Sequence, residues 1–63
     1  DAMTAATIYT PTALAREARL LAQGCADYRP GPVTWDIRVG YTATSLVVTY
    51  QTGGRPATAS QAL

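Results

Sequence analysis

The sequence predicts a small α+β domain in which one helix packs on an antiparallel β-hairpin. One segment places apolar residues at helical spacing behind a threonine and a proline, and two later segments alternate between apolar and polar residues, as half-buried strands do. With 63 residues, the chain is long enough for one domain at most. We therefore expect residues 1–63 to form a single domain.

The helix is expected to begin after Thr10 and to stop at Gly24. Thr10 suits the N-cap because its side-chain oxygen accepts a backbone N–H, and Pro11 suits the first helical position because no N–H is needed there. Small or apolar side chains then recur at spacings of four, three and four residues: Leu14, Ala18, Leu21 and Cys25. This spacing predicts the buried stripe of the helix. Gly24 is expected to end the helix in a left-handed conformation.

Two strands are expected to form the hairpin. Residues 33–41 carry an apolar side chain at every second position, and residues 46–52 repeat the pattern. A loop of residues 42–45 brings both apolar rows to the same face. The pairs that this loop predicts are Tyr41 with Leu46, Val39 with Val48, and Ile37 with Tyr50. We therefore expect Tyr41 and Tyr50 in the core.

The remaining segments are assigned from local composition. A two-stranded hairpin is marginal alone, so residues 5–9 are a candidate third strand, which would give β-α-β-β instead of α-β-β. Residues 29–32, Arg-Pro-Gly-Pro, are typical of a rigid turn. Residues 55–63 are rich in alanine and threonine and are expected to be a flexible tail. Asp1 and Ala2 precede the first methionine, and we interpret them as a remnant of cloning.

The side chains available give no basis for catalysis, so we expect a protein that is not an enzyme. The chain has no histidine, and its one cysteine, Cys25, has no imidazole to activate its thiol. The four acidic residues are scattered along the chain. A single cysteine excludes an internal disulfide, and the common zinc ligand sets cannot be assembled without histidine. We expect no cofactor and no metal.

Protein recognition is the function that remains favoured by elimination. Small domains without disulfides or metals commonly gain stability from a partner chain, so we expect a homo-oligomer or docking on a larger protein. The expected role is a non-enzymatic interaction module, a small inhibitor or regulator of the kind that phages and mobile elements encode. The candidate partner-binding residues are Tyr28, Arg29, Arg38, Val47 and Leu20.

Each candidate residue has a separate reason. Tyr28 and Arg29 lie at the predicted rigid turn, and both residue types are enriched in interfaces. Leu20 lies off the buried stripe of the helix, and Val47 faces away from the predicted core, so each is an apolar side chain without an assigned place. Arg38 lies on the outer face of the first strand.

Two other functional classes remain open. One is a dimeric β-ribbon protein that binds nucleic acid, in which two-fold symmetry brings Arg38 of both chains together. The net charge of +1 gives this class little support, because such binding depends on clustered cations. The other is a structural or assembly subunit of a viral particle, in which exposed strand edges pair between copies.

The expected location is the cytoplasm of a bacterial or host cell. No apolar stretch approaches the length that a membrane-spanning helix needs, and no basic start is followed by an apolar run of the secretory type. The lone Cys25 also favours a reducing compartment.

Overall fold

A computed structural model describes residues 9–63, in which one helix is followed by three antiparallel strands. The elements are α1 (Pro11–Gln23), β1 (Arg29–Val39), β2 (Thr44–Gln51) and β3 (Ala57–Ala62). The helix packs on one face of the sheet, so the predicted α+β class is confirmed. The candidate strand over residues 5–9 lies outside the described residues except for Tyr9, which is not in a strand. Within residues 9–63, no helix has the length and apolar character needed to cross a membrane.

Helix α1 begins where the sequence predicted but ends differently. Thr10 is extended (φ −76°, ψ 157°), and its hydroxyl oxygen accepts the Ala13 N–H at 3.1 Å. At the other end Gly24 has φ −77°, so the predicted left-handed conformation is wrong. The chain stays right-handed for one further turn, and the Cys25 N–H donates to the Ala22 carbonyl at 3.0 Å. This turn satisfies one of the carbonyls that a helix end leaves without an intrahelical partner.

The buried face of α1 is made largely of alanine. Leu14, Ala18 and Ala22 are the buried residues of the helix, while Leu21 and Cys25 are half-buried beside them and pack against the core. The distance between packed elements depends on the side chains at the contact, so alanine allows the helix backbone to come close to the sheet.

Strand β2 is the centre of the sheet and supplies most of the core. The strand order is β1-β2-β3, so β2 pairs on both sides. Its inner row is Leu46, Val48 and Tyr50, which are 0%, 0% and 4% exposed. With the buried alanines of α1, this row forms the hydrophobic cluster on which the flanking strands pack.

The register of the β1–β2 hairpin differs from the predicted one. Ile37 pairs with Leu46, whereas the sequence pattern placed it opposite Tyr50. The loop still has four residues, but it spans 40–43, two positions earlier than predicted. Because the shift along each strand is even, both apolar rows keep their face. The change of register places Tyr41 in the loop, where it is fully exposed, although it was expected in the core.

Gly40 fixes the position of this loop. Its N–H donates to the carbonyl of Ala43 at 2.8 Å. A Cβ on Gly40 would lie only 2.7 Å from that carbonyl oxygen, so a side chain does not fit there without a backbone shift. Glycine therefore selects the turn that the apolar pattern alone left open.

Residues 29–32 belong to β1 and do not form a separate turn. The pairing of β1 with β2 is regular from Thr34 to Val39, resumes at Arg29 opposite Gln51, and is irregular between these two parts. The irregular stretch holds Pro30 and Pro32, which have no N–H to donate. The two prolines are therefore placed where the ladder does not need their N–H groups.

Residues 57–62 form β3, whereas composition predicted a tail. The chain leaves β2 through a turn in which Gly53 has φ +90° and the Thr52 hydroxyl donates to the Arg55 carbonyl. The inward-facing Ala57 and Ala59 then pack at the core. Composition missed this strand because its side chains are small, while its place in the sheet comes from backbone pairing.

The central role of β2 can be tested by truncating its fully buried leucine. Leu46→Ala is expected to lower the free energy of unfolding by about 2–5 kcal/mol, because it leaves a cavity under the helix. The matched control is Leu20→Ala, which truncates the same side chain at a position that is 56% exposed and should change stability little. Urea denaturation followed by Trp35 fluorescence measures both. Equal losses for the two variants would contradict the assigned core.

Candidate functional site

The five predicted site residues do not form one surface. Leu20 lies on the solvent side of α1, Arg38 and Val47 lie on the sheet face opposite the helix, and Tyr28 and Arg29 lie where β1 begins. Only Arg38 and Val47 share a face, on neighbouring strands. The structure therefore offers several separate surfaces.

Tyr28 is part of the packing at the end of the helix. It is half-buried against the core, and the centroid of its ring lies 6.4 Å from that of Tyr50 with the two rings tilted by 40°. The Tyr50 hydroxyl in turn donates to Asp27 Oδ1 at 2.7 Å. Arg29 is exposed, and its guanidinium donates to the Tyr28 carbonyl at 3.1 Å. These contacts tie the chain between α1 and β1 to the end of β2.

The electrostatics of this cluster keep its phenol protonated. The hydrogen bond to Asp27, together with contact with Cys25 and burial, raises the pKa of Tyr50 far above its ordinary range. A raised pKa holds the proton on the oxygen, which suits a structural hydrogen bond and not a proton-accepting role.

Within residues 9–63, no three His, Cys, Asp or Glu side chains come together as a metal site.

The outer face of the sheet, opposite the helix, is largely polar. Residues that pair across the three strands lie side by side on it and form three rows. The rows are Thr34, Thr49 and Thr58; Asp36, Val47 and Ser60; and Arg38, Ser45 and Ala62. This face therefore carries one anion and one cation on the same strand, with no net charge. Val47 lies at its centre and is half-buried by its neighbours.

The hairpin tip, residues 39–43, carries the most exposed large apolar side chains in the described residues. Val39 is 79% exposed and Tyr41 is fully exposed. Tyr9, which is 49% exposed, precedes α1. Sequence analysis missed the tip because the apolar alternation of β1 continues past the point where the helix covers the strand. Gly40 between the two exposed residues was the available signal.

The outer edge of β1 is partly protected against further pairing. The Gly40–Ala43 bond fixes the alternation of the ladder, and this alternation turns the Ile37 N–H away from β2, toward the free side. There the carboxylate of Asp36 accepts it at 2.8 Å. Proline in the irregular first part of β1 removes further donors. Charge, proline and irregularity are common devices that keep an edge strand from pairing with another chain.

The outer edge of β3 has none of these devices. The Leu63 N–H donates to the Thr44 carbonyl at 2.9 Å, and the alternation that this bond fixes turns the N–H and C=O groups of Thr58, Ser60 and Ala62 away from β2. Strand β3 contains neither a charged residue nor proline. In the part of the chain that the structure describes, β3 pairs with β2 alone.

Comparisons of this chain with protein-family models, with curated proteins and with solved structures find no match. Three exposed features of the described residues are candidate binding surfaces: the hairpin tip, the outer face and the edge of β3. The tip is apolar, the outer face is polar without net charge, and the edge offers backbone hydrogen-bonding groups.

The tyrosine cluster gives a prediction for pH dependence. Because the pKa of Tyr50 is raised in the folded state, its contribution to stability is present below the ordinary tyrosine pKa of about 10 and is lost as pH rises above that value. Tyr50→Phe should lower stability at pH 7 and also reduce the loss of stability on the alkaline side.

The control for this prediction is Tyr41→Phe, which removes a hydroxyl from an exposed ring. Thermal unfolding of the three proteins from pH 7 to about 11 measures the effect across the range where tyrosine ionises. Parallel pH curves for the native protein and Tyr50→Phe would contradict the role assigned to the hydrogen bond with Asp27.

Proposed function

We propose that this chain is a non-enzymatic interaction module that binds a larger protein through the hairpin tip and regulates it. The observation that carries the proposal is a fully exposed Tyr41 beside a largely exposed Val39 at the end of a hairpin. Neither side chain contributes to the hydrophobic cluster of the domain, so the fold gives no reason for apolar residues at these positions.

The chemistry of the tip suits protein recognition. A tyrosine ring combines a large apolar surface with a hydroxyl, and tyrosine is among the residues that contribute most to binding energy in interfaces. Val39 offers a second apolar contact on the same projection. Together they fit a partner with a shallow apolar pocket and a hydrogen-bonding group at its rim.

The tip is held in shape before a partner binds. The hydrogen bond between Gly40 and Ala43 closes the loop, and the paired strands below it limit its motion. A contact presented on such a loop loses less conformational entropy on binding than a flexible segment does. This arrangement supports the proposed role of Tyr41 as an anchor.

The outer face gives less support to nucleic-acid binding. Among the described residues Arg38 is its one cation, and Asp36 lies two residues away on the same strand and face. Affinity for nucleic acid depends on several cations that neutralise successive phosphates. The hairpin tip therefore carries the proposal, and binding of a protein is the function that we test.

The test is capture of proteins from the source cell on the immobilised full chain, followed by affinity measurement on the captured protein. Tyr41→Ala is expected to weaken binding about thirtyfold, the ratio that corresponds to a loss of about 2 kcal/mol at an anchor residue. Leu20→Ala is the control, because Leu20 is also an exposed apolar residue but lies away from the tip. A partner that binds both variants with unchanged affinity would contradict the proposal.

A further inference from the structure

We propose that the outer edge of β3 pairs in antiparallel orientation with β3 of a second copy of this chain, giving a dimer with one continuous sheet. This surface is separate from the hairpin tip, so the inference does not depend on the proposed function. The dimer would have a sheet of six strands, three from each copy, with both helices on the same face.

The two edges of the sheet differ in how far they are protected. On β1 the outward N–H of Ile37 is already accepted by Asp36, and two prolines lie in the irregular part of the strand. On β3 the outward N–H and C=O groups have no such protection in the described residues. Unprotected edges are templates for strand addition, and a chain that partly protects one edge and leaves the other open favours pairing at the open edge.

Strand β3 is self-complementary. A two-fold axis at Ser60 places Ser60 opposite Ser60 of the second copy, and Thr58 opposite Ala62 of the second copy. These residues have outward-facing backbone groups, so the three facing pairs give about six hydrogen bonds between the copies. No like charges meet, because β3 has no charged residue.

The helix side of β3 carries alanine at two positions and one polar residue, Gln61, whose amide donates to Glu17 Oε2 at 3.5 Å, so apolar contact between the copies falls at the ends of the paired row. In the same register Ala57 lies opposite Leu63 of the second copy, and both residues are half-buried hydrophobics that pack against the core. Pairing extends this row from one copy to the next and removes more of its apolar surface from water. The outward backbone groups of β3, its lack of charged residues and its apolar ends therefore all favour a second copy of the chain as the partner of this edge.

The first test is the mass of the full chain in solution, measured by light scattering with reductant present. The native protein should show twice the 6.6 kDa of one chain. Ser60→Lys places two cations opposite each other at the axis and should restore the mass of a single chain. Thr34→Lys is the control, because Thr34 is exposed on the same face of the other edge strand and this variant should remain a dimer.

The second test fixes the register by crosslinking in a Cys25→Ser background. Ser60→Cys should form a disulfide between copies under mild oxidation, because hydrogen-bonded pairs hold their Cα atoms about 5.5 Å apart, within disulfide range. Thr58→Cys should not, because the two cysteines would lie about 13 Å apart along the strands. Equal crosslinking of both variants would overturn the register.

A native protein that stays at the mass of one chain at all concentrations would overturn the inference. Hydrogen exchange at Thr58, Ser60 and Ala62 then identifies the alternative. Slow exchange at these amides in a monomer would mean that another segment of the same chain, such as residues 1–8, pairs with the edge of β3. Fast exchange would mean that the edge has no partner. Either result contradicts pairing with a second copy.

Discussion

The close packing of α1 on β2 is the contact on which the rest of the structure depends. Ala18 and Ala22 of the helix have no exposed surface. They pack against β2, whose residues Leu46 and Val48 are also fully buried. Because the helix contributes alanines at this contact, the large side chains come from the sheet, and the helix can sit close to it. Both edge strands then gain their apolar contacts at the margin of this cluster.

Sequence analysis could predict the helix and the two alternating strands because each pattern depends on a single element. Thr10 and Pro11 set the start of α1, and alternation set the buried face of β2. The hairpin register could not be predicted from alternation, because an even shift leaves every apolar residue on the same face. The observed register requires a residue without a side chain at Gly40, because of a close backbone contact with Ala43 that no apolar pattern reports.

Strand β3 and the candidate surfaces were beyond prediction for a related reason. A strand of alanine, serine, threonine and glutamine gives little hydrophobic signal, and its place comes from hydrogen bonds to β2. The exposure of Tyr41 followed from the register, so an error in the register placed it in the core. Tyr28, one of the predicted partner-binding residues, is half-buried and packs against Tyr50, because the turn between α1 and β1 lies over the end of β2.

Strand β3 completes the sheet by pairing with β2, and this pairing determines both the core and the open edge. Native-state hydrogen exchange tests it most directly at Ala59 and Gln61, whose N–H groups point toward β2. The structure predicts that these two amides exchange far more slowly than those of Gly53 and Gly54 in the preceding turn. Exchange at Ala59 and Gln61 as fast as at the two glycines would show that β3 is not part of the sheet.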